Sequence, residues 1–408
     1  MTARPRIGPG RAARDETLAG VMSAATSTPP RAEAVVDTDA IAANVALIRG
    51  RLFPGTKLMA VVKADGYGHG MLPVARTVLA AGADWLGVAT PDEALALRRA
   101  GIEAPLLCWL STPGEDAAPL VEAGVDISIS ASWRLAEVLA AVAAVGRPAR
   151  VQLKVDTGLS RNGVTEPELP ALCHELATAV DARQVLFTAL WSHLACADEP
   201  ADPATDIQLA AFRRATEVVK AAGLDVPMRH LANSAATLTR PDTHFDLVRA
   251  GIALYGYSPG RDHDLRPAMT VHARLAAVKR IPAGAGVSYG HAWHAPVDTV
   301  VGLVPAGYAD GLPRSASPGA AVSVSGRRVP VVGRVCMDQF VIDLGPGSAE
   351  RPGDDVVLFG AGSTDPSADD WADAAGTISY EILTGIRGRI VRRYVGAHAG
   401  NGVESGTR

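Results

Sequence analysis

The sequence is poor in the residues that mark several common classes of protein. Its cysteines are Cys108, Cys173, Cys196 and Cys336, which form no C-x-x-C pair. A chain of 408 residues needs no disulfide framework in order to fold. The formal net charge is -4, so the sequence lacks the basic surface that a nucleic-acid backbone demands. We therefore expect a reducing, cytoplasmic environment, no metal site and no nucleic-acid partner.

Long apolar runs are also missing. The longest Ala- and Val-rich stretch, 135–145, contains Glu137 and is shorter than the roughly 18 apolar residues of a spanning helix, so no membrane partner is expected. Residues 1–33 lack the apolar core of a secretory signal. We expect a disordered tail there, with either Met1 or Met22 as the start, and a second flexible tail over 397–408.

From residue 34 to 266, short β-prone runs alternate with longer Ala- and Leu-rich segments. This alternation predicts parallel strands with crossover helices, and eight such units predict an α/β fold with a TIM-like (β/α)8 barrel. The predicted strands are Lys57–Lys63, Trp85–Val88, Pro105–Leu110, Val125–Ser130, Arg150–Val155, Leu186–His193, Met228–Ala232 and Val248–Leu254. Met71–Ala81 and Pro91–Ala100 are predicted helices, each followed by glycine.

Residues 267–396 have a different texture, with strands separated by Gly, Pro and Asp turns. They predict a second, mainly antiparallel β domain, and two domains suit a chain of this length. The predicted strands are Val271–Ile281, Thr299–Pro305, Ala321–Val324, Arg328–Val332, Gln339–Leu344, Asp355–Phe359 and Arg389–Val395. One helical stretch is predicted near Thr377–Gly385.

Polar residues recur where the predicted barrel strands end. They are Lys63, Arg161, His193, Asn233, Ser234 and Arg249. The carboxyl ends of barrel strands form one open face that carries active sites. The sequence therefore predicts a site at that rim.

Lys63 closes an apolar strand and can be interpreted in two ways. It is either a flexible surface charge or a desolvated amine whose lowered pKa makes it a nucleophile. The glycines of Gly66-Tyr67-Gly68-His69-Gly70 favour the second interpretation, because they allow backbone to approach a ligand closely. Structural alternatives remain open for the other rim residues. His193 is either a catalytic residue or a core histidine, and Arg161 and Arg249 are either site residues or surface ion-pair partners.

The segment Val62–Gly70 resembles the cofactor-lysine signature of the alanine racemase family. The resemblance runs from about Val35 to Tyr394, with Gly66 and Leu159-Ser160 as small departures. Further matching segments, in the same order, are Lys154–Arg161, Leu231–Ser234, Arg249–Gly256, Val287–Gly290, Gly307–Gly311 and Cys336–Gln339.

The resemblance implies a pyridoxal 5′-phosphate enzyme. Lys63 would hold the cofactor covalently, and Arg249 would contact its pyridine nitrogen. The implied phosphate-binding groups are Tyr67, Asn233, Ser234, Tyr380 and the backbone at Gly251 and Ile252. The implied substrate-binding groups are Arg161, Met337 and Tyr308, with Lys154 as a site of carbamylation that would orient Arg161.

The same resemblance implies racemisation of alanine by two bases on opposite faces of the cofactor. Lys63 would serve one face, and Tyr289 of a neighbouring subunit the other, in a homodimer with shared sites. His193 would lie between Tyr289 and Arg249. The implied role is the supply of D-alanine for bacterial peptidoglycan. Alternatives are a serine or broader-specificity racemase, a related decarboxylase, and a protein that binds the cofactor without turnover.

Overall fold

The computed structural model describes residues 29–258 and 264–398, together with the backbone strand at 403–404. Residues 1–28 of the predicted N-terminal tail and most of the predicted C-terminal tail lie outside these ranges, as does the alternative start at Met22. Within them, no helix combines the length and the apolar character needed to cross a membrane.

Eight parallel strands form the barrel, as predicted, in the order β8-β7-β6-β5-β4-β3-β2-β9. The strands from the start of the chain are β1 Ala32–Asp37, then the barrel strands β2 Lys57–Val61, β3 Trp85–Val88, β4 Leu106–Cys108, β5 Asp126–Ile129, β6 Ala149–Lys154, β7 Val185–Trp191, β8 Arg229–His230 and β9 Leu247–Ala250. β2 pairs with β9. The gap between β8 and β9 is bridged by backbone hydrogen bonds from Asp246 to Arg229 (3.1 Å) and from Arg249 to Ala232 (3.0 Å).

The helices lie mainly between these strands. They are α1 Thr38–Arg49, α2 Lys63–Tyr67, α3 Met71–Ala80, α4 Pro91–Arg99, α5 Ala118–Glu122, α6 Ser132–Val145, α7 Leu169–Asp181, α8 Ala204–Ala221, α9 Ser234–Thr239, α10 Ala368–Ala375 and α11 Ser379–Gly385. Short 3-10 turns occupy Pro241–Thr243, Ile252–Tyr255, Tyr289–His291, Tyr308–Asp310 and Arg314–Ala316. α4 begins with a capping box between Thr90 and Glu93, which satisfies backbone donors that a helix leaves free at its start.

The barrel interior is packed with side chains. A cluster of buried residues fills it: Met59, Trp85, Leu107, Ala189, Trp191, Met228 and Leu247. A side chain at Gly87 would lie 2.8 Å from the ring of Trp109, so this glycine leaves room for a tryptophan that packs on the cluster. The interior is therefore a core that supports the rim above it.

The second domain is built on a ten-stranded sheet, mainly antiparallel, in the order β11-β14-β17-β16-β15-β18-β10-β1-β19-β20. Its remaining strands are β10 Met269–Arg274, β11 Ala277–Ile281, β14 Thr299–Val304, β15 Ala321–Val324, β16 Arg327–Val332, β17 Phe340–Asp343, β18 Asp355–Phe359, β19 Val391–Val395 and β20 Val403–Glu404, while β12 Gly286–Val287 and β13 Trp293–His294 form a separate hairpin. The antiparallel β domain was predicted.

Three details differ from the sequence prediction. β1 lies between β10 and β19 in the second sheet, so the predicted barrel boundary at residue 34 cuts through a strand of the β domain. The single predicted strand Val271–Ile281 is two strands, because the backbone amide of Ala276 turns to the carbonyl of Leu303 on β14 (2.8 Å). The helix α10, capped by Ser367, was not predicted.

Candidate active site

The polar residues predicted at the barrel rim are brought together there. Lys63 lies two positions after the end of β2, Lys154 is the last residue of β6, and Arg249 lies on β9. The charges of Arg249 and Arg161 both act on Lys154, and Lys63 acts on it as well. Four cationic side chains from distant parts of the chain thus share one small region.

Lys63 opens an unusual turn, Lys63–Tyr67, which we call the lysine turn. Ala64, Asp65, Gly66 and Tyr67 all have positive φ, between 51° and 62°. This left-handed conformation costs roughly 1–2 kcal/mol for each residue that is not glycine. Of these four residues only Gly66 is a glycine. Local backbone hydrogen bonds, such as that from the Gly68 amide to the Ala64 carbonyl (3.1 Å), and contacts with the rest of the molecule must therefore stabilise the turn.

The environment of Lys63 lowers the pKa of its amine. Burial lowers its pKa and the charge of Arg161 lowers it further, while Glu93 has the opposite effect. Its Nζ lies 5.8 Å from the centre of the Trp109 ring. A less protonated amine is the form that attacks a carbonyl, so the structure supports the interpretation of Lys63 as a nucleophile rather than a surface charge.

Lys154 is almost fully buried, at 4% exposed. Burial, together with the charges of Arg249 and Arg161, lowers the pKa of its amine to about 8. Its Nζ lies over the ring of Trp191 at 4.5 Å. The cationic form of the Lys154 amine is therefore disfavoured, because three other cationic groups act on it.

Arg249 is held by neutral acceptors and is not a surface ion-pair partner. Its Nη2 donates to the carbonyls of Ser192 (2.7 Å) and Leu231 (2.9 Å), and lies 3.3 Å from Nδ1 of His193. The guanidinium also packs over Trp191, 5.0 Å from the ring centre. The group is 4% exposed, and burial lowers its pKa. These contacts fix the orientation of its donors.

Two histidines flank Arg249, and sequence reasoning identified only one of them. His193 lies against Nη2, and His230 Nδ1 lies 3.0 Å from Nη1. Burial, followed by the charge of Arg249, lowers the pKa of both imidazoles well below the usual value. Both are therefore neutral at pH 7. The position of His230 at the end of β8, just before Leu231–Ser234, was the available signal.

The tautomer of His230 follows from its partners. Nδ1 faces a guanidinium and must accept, so Nε2 carries the proton and donates to Oε1 of Gln152 (2.9 Å). The amide nitrogen of Gln152 in turn donates to Asp126 (2.9 Å). A buried chain of hydrogen bonds thus runs through the barrel from Asp126 to Arg249.

Ser234 and the loop after β9 form a cradle for an anion. The Ser234 hydroxyl oxygen accepts from the amides of Gly251 (2.8 Å) and Ala253 (3.3 Å), which leaves its own proton free to donate elsewhere. A side chain at Gly251 would lie 2.4 Å from the hydroxyl of Tyr67, so only glycine fits there. Ile252 begins the following 3-10 turn, with Gly251 as its cap.

Tyrosine hydroxyls complete the cradle. The Tyr67 ring stacks on Tyr255 at 4.8 Å and lies 6.0 Å from that of Tyr380. Burial raises the pKa of Tyr67, and it raises the pKa of Tyr380 to about 12. Both phenols stay protonated at neutral pH, so they can donate to a phosphate monoester. Neutral donors at a Gly-rich loop are well suited to that group.

Asn233 has a structural duty beside the cradle. Its side-chain oxygen accepts from the amide of Ala236 (3.0 Å) and caps α9.

Arg161 lies on an exposed loop. Asp156 shapes this loop by accepting hydrogen bonds from the amides of Gly158 (2.9 Å) and Ser160 (3.1 Å). The charge of Arg161 acts on both Lys63 and Lys154, so this exposed residue belongs to the same region as the two lysines.

Tyr289, Tyr308 and Met337 belong to the β domain and are not buried over this rim. Their exposed fractions are 71%, 41% and 52%. We call these residues the β-domain patch. Tyr289 and Met337 line one open cavity of about 630 Å³, and the Tyr308 amide donates to the carbonyl of Cys336 (3.1 Å).

A buried carboxylate supports the β-domain patch. Asp310 accepts from Arg389 (2.9 Å), from Arg31 (2.8 Å) and from the amide of Gly307 (3.0 Å). Burial alone would raise its pKa, but these hydrogen bonds outweigh burial and lower it. Arg389 also binds Asp338 (2.7 Å), the neighbour of Met337. One ionic network thus connects the Tyr308 and Met337 loops, and no sequence pattern predicted it.

The chain is similar to alanine racemases over most of its length. The family model described as alanine racemase, N-terminal domain, matches residues 36–259, and that described as alanine racemase, C-terminal domain, matches residues 268–394. The alanine racemase of Thermobifida fusca is 52% identical over 370 residues, which are 90% of this chain and 98% of that protein. That of Streptomyces coelicolor is 52% identical over 377 residues, covering 90% and 96%.

Solved structures agree with this similarity. Alanine racemase from D-cycloserine-producing Streptomyces lavendulae superposes with a TM-score of 0.89 at 50% identity, covering 91% of this chain and 98% of that chain. Alanine racemase from Bacillus anthracis with bound L-Ala-P gives a TM-score of 0.83 at 35% identity, covering 93% and 98%. Both domains of the fold are included in these alignments.

Proposed function

The chain belongs to the alanine racemase family of pyridoxal 5′-phosphate-dependent isomerases, and from this premise we propose that it interconverts L-alanine and D-alanine in a site shared by two subunits. The observation that carries the proposal is Lys63, a desolvated amine on the left-handed lysine turn, next to a cradle of neutral phosphate donors. A broader-specificity or serine racemase is not favoured, because the relatives described above are alanine racemases.

The residues at the rim fit the cofactor. Lys63 would hold it covalently and Arg249 would face its pyridine nitrogen. Its phosphate would be bound by Tyr67, Asn233, Ser234, Tyr380 and the backbone at Gly251 and Ile252. When bound, pyridoxal phosphate supplies an electron sink for the electron pair released at the substrate α-carbon. Arg249 is a donor that does not give up a full proton, so it keeps the pyridine nitrogen hydrogen-bonded rather than protonated.

Arg161 would bind the substrate carboxylate, for which a guanidinium fork is well shaped. Met337 would add its backbone N–H, and Tyr308 would contact the substrate beside it. Lys154 would be carbamylated. The cationic form of its amine would first lose a proton to solvent. The neutral amine would then form an N–C bond to carbon dioxide, breaking one C–O π bond, and release a second proton, so that a buried cation becomes an anion. The pKa of about 8 supports this step, because a substantial fraction of the amine is neutral near that pH.

Two groups would move the α-proton. Lys63 would hold or release it on one face of the substrate, and Tyr289 of the partner subunit would do so on the other. His193, neutral and in contact with Arg249 through Nδ1, would lie next to that tyrosine and donate a hydrogen bond from Nε2 that favours the ionised form of the phenol. The exposure of Tyr289, 71% in a single chain, supports a homodimer in which the β-domain patch covers a partner's barrel rim.

This activity would operate in the cytoplasm and supply D-alanine for peptidoglycan. The direct test is incubation of the purified protein with L-alanine, L-serine and L-lysine in separate reactions, followed by chiral analysis. We expect D-alanine to form far faster than D-serine or D-lysine. Equal rates with L-serine would favour the broader-specificity alternative, and no turnover of any substrate would leave only a cofactor-binding protein.

A further inference from the structure

The lysine turn is held by a residue of the other domain. We propose that Arg392, on β19 of the β domain, is a positioning residue that keeps the lysine turn in its left-handed conformation, so that cofactor binding depends on an ion pair between the domains. The inference rests on the proposed role of Lys63 as the cofactor lysine. It adds a residue that the family resemblance did not assign.

The contact runs through Asp65, the middle of the turn. One carboxylate oxygen of Asp65 forms an ion pair with Arg392 at 2.6 Å, and the other accepts from the amide of Met71 at 2.8 Å. The Arg392 side chain is only 14% exposed, whereas that of Asp65 is 53% exposed. The arginine side chain is therefore the more firmly held partner. It binds a residue whose φ is +54°.

The opposite side of the turn is fixed within the barrel. Glu93, in the capping box of α4, accepts from the amide of Ala64 at 2.6 Å. A left-handed turn that is bound on one side only can relax towards ordinary backbone angles, because non-glycine residues prefer negative φ. Glu93 and Arg392 hold its second and middle residues from different domains.

The C-terminal segment also lies close against the following residues. A side chain at Gly68 would lie 2.2 Å from the carbonyl of Leu383 on α11, and one at Gly70 would lie 2.0 Å from the hydroxyl of Tyr394 on β19. β19 is therefore already placed beside the turn by packing. Within that contact, Arg392 is the charged side chain that binds the carboxylate of Asp65, the middle residue of the turn.

The next residue on β19 supplies a matched control. Arg393 forms an ion pair with Glu33 of β1 at 3.1 Å, away from the lysine turn. Loss of Arg393 removes a guanidinium and an ion pair from the same strand but leaves Asp65 untouched. A general weakening of β19 would therefore affect both arginine variants, whereas the positioning role concerns Arg392 alone.

The experiment compares full-length wild type with Arg392→Met, Arg392→Lys, Asp65→Asn and Arg393→Met. Two quantities are measured: the Kd for pyridoxal phosphate, by titration of the cofactor-depleted protein, and amide hydrogen exchange of residues 64–70 in the protein as purified. Arg392→Met should raise the Kd about fivefold, a change that matches the loss of one partly exposed ion pair. It should also speed amide exchange in the turn. Arg392→Lys should restore part of both, and Arg393→Met should match wild type.

Asp65→Asn provides a second route if Arg392→Met does not fold. It keeps an oxygen that can accept from Met71 while removing the charge, so it should reproduce the weaker cofactor binding and the faster exchange. Unchanged Kd and exchange in Asp65→Asn, or equal changes in Arg392→Met and Arg393→Met, would overturn the proposal. A wild type that binds the cofactor but does not racemise alanine would instead overturn the proposed function, since neither readout requires turnover.

Discussion

The barrel rim and the β-domain patch differ in how complete they are within one chain. At the rim, Arg249 and Lys154 are each 4% exposed and are already held in place. In the β-domain patch, Tyr289 and Met337 are more than half exposed, although the Tyr308 and Met337 loops are fixed by the network of Asp310 and Arg389. On the proposed function, the first region would bind the cofactor within one chain, and the second would complete the site of a partner subunit.

The two halves of the proposed shared site are therefore built in different ways. The rim gains its chemistry from desolvation, which lowers the pKa of Lys63 and Lys154. The β-domain patch is shaped by an ionic network. Its side chains would be desolvated only when a second subunit covers them. Substitutions at the rim should therefore affect cofactor chemistry directly, and those in the patch should act through the second subunit.

The largest effect is expected at Lys63. Lys63→Ala should reduce racemisation about a thousandfold or more, because it removes both the covalent attachment and one proton-transfer group. It should also abolish the cofactor adduct that borohydride fixes and the absorbance near 420 nm that is typical of pyridoxal bound to lysine. Lys57→Ala, an exposed lysine at the start of β2, is the control. Wild-type turnover in Lys63→Ala would mean that the rim is not the cofactor site.

Tyr289→Phe tests the patch and should act on one direction of proton removal. Since each enantiomer presents its α-hydrogen to only one face, loss of the phenol should slow α-deuterium exchange from L-alanine about a hundredfold or more and affect D-alanine much less. Single-turnover exchange in D2O with each enantiomer separates the two steps. Equal losses for both enantiomers would point to one base serving both faces.

A smaller effect is expected from a steric change in the cradle. Gly251→Ala would place a methyl group 2.4 Å from the Tyr67 hydroxyl, so Tyr67 or the loop after β9 must shift. We expect about tenfold weaker binding of pyridoxal phosphate, measured by fluorescence titration. Gly50→Ala is the matched control, because Gly50 has right-handed helical angles. Unaltered affinity in Gly251→Ala would show that this loop is not part of the phosphate site.

The smallest effect concerns the pH dependence of the β domain. Hydrogen bonds lower the folded-state pKa of Asp310, so its ionised form stabilises the folded protein above its unfolded pKa of about 4, and that contribution is lost as pH falls through the folded value. Asp310→Asn should lower the free energy of unfolding by about 1–2 kcal/mol at pH 7, and the difference from wild type should shrink below about pH 4.

Denaturant titration at several pH values measures this difference. Asp338→Asn is the control, because Asp338 pairs with the same Arg389 but its side chain is 57% exposed. Its effect should be smaller, as is usual for exposed ion pairs. A destabilisation of Asp310→Asn that stays constant down to pH 3 would show that the carboxylate charge is not what stabilises the loop.

Much of the fold could be predicted from local pattern. The strands Trp85–Val88, Ala321–Val324 and Asp355–Phe359 have the predicted bounds, because short apolar runs between turn residues define them. The sheet to which β1 belongs could not be predicted. Its partners, β10 and β19, lie more than 200 residues further along the chain, and a short strand carries no local sign of its sheet.

The site divides in the same way. Lys63, His193 and Arg249 were predicted from their positions on the barrel strands and Lys154 from the family resemblance, and the structure brings all four together. His230 was missed because its significance depends on two partners, Gln152 and Arg249, that come from other strands. The left-handed lysine turn was missed because three of its four positive-φ residues are not glycine.

The central claim is that an active site needs the barrel rim of one subunit and the β-domain patch of another. Its most direct test is subunit mixing between two inactive variants, Lys63→Ala and Tyr289→Phe. A heterodimer would contain one site with both changes and one with neither, so mixing should restore racemisation towards a quarter of the wild-type value at equal concentrations, where about half of the dimers are mixed. The absence of any restored activity, with subunit exchange demonstrated by native mass spectrometry, would contradict the shared site.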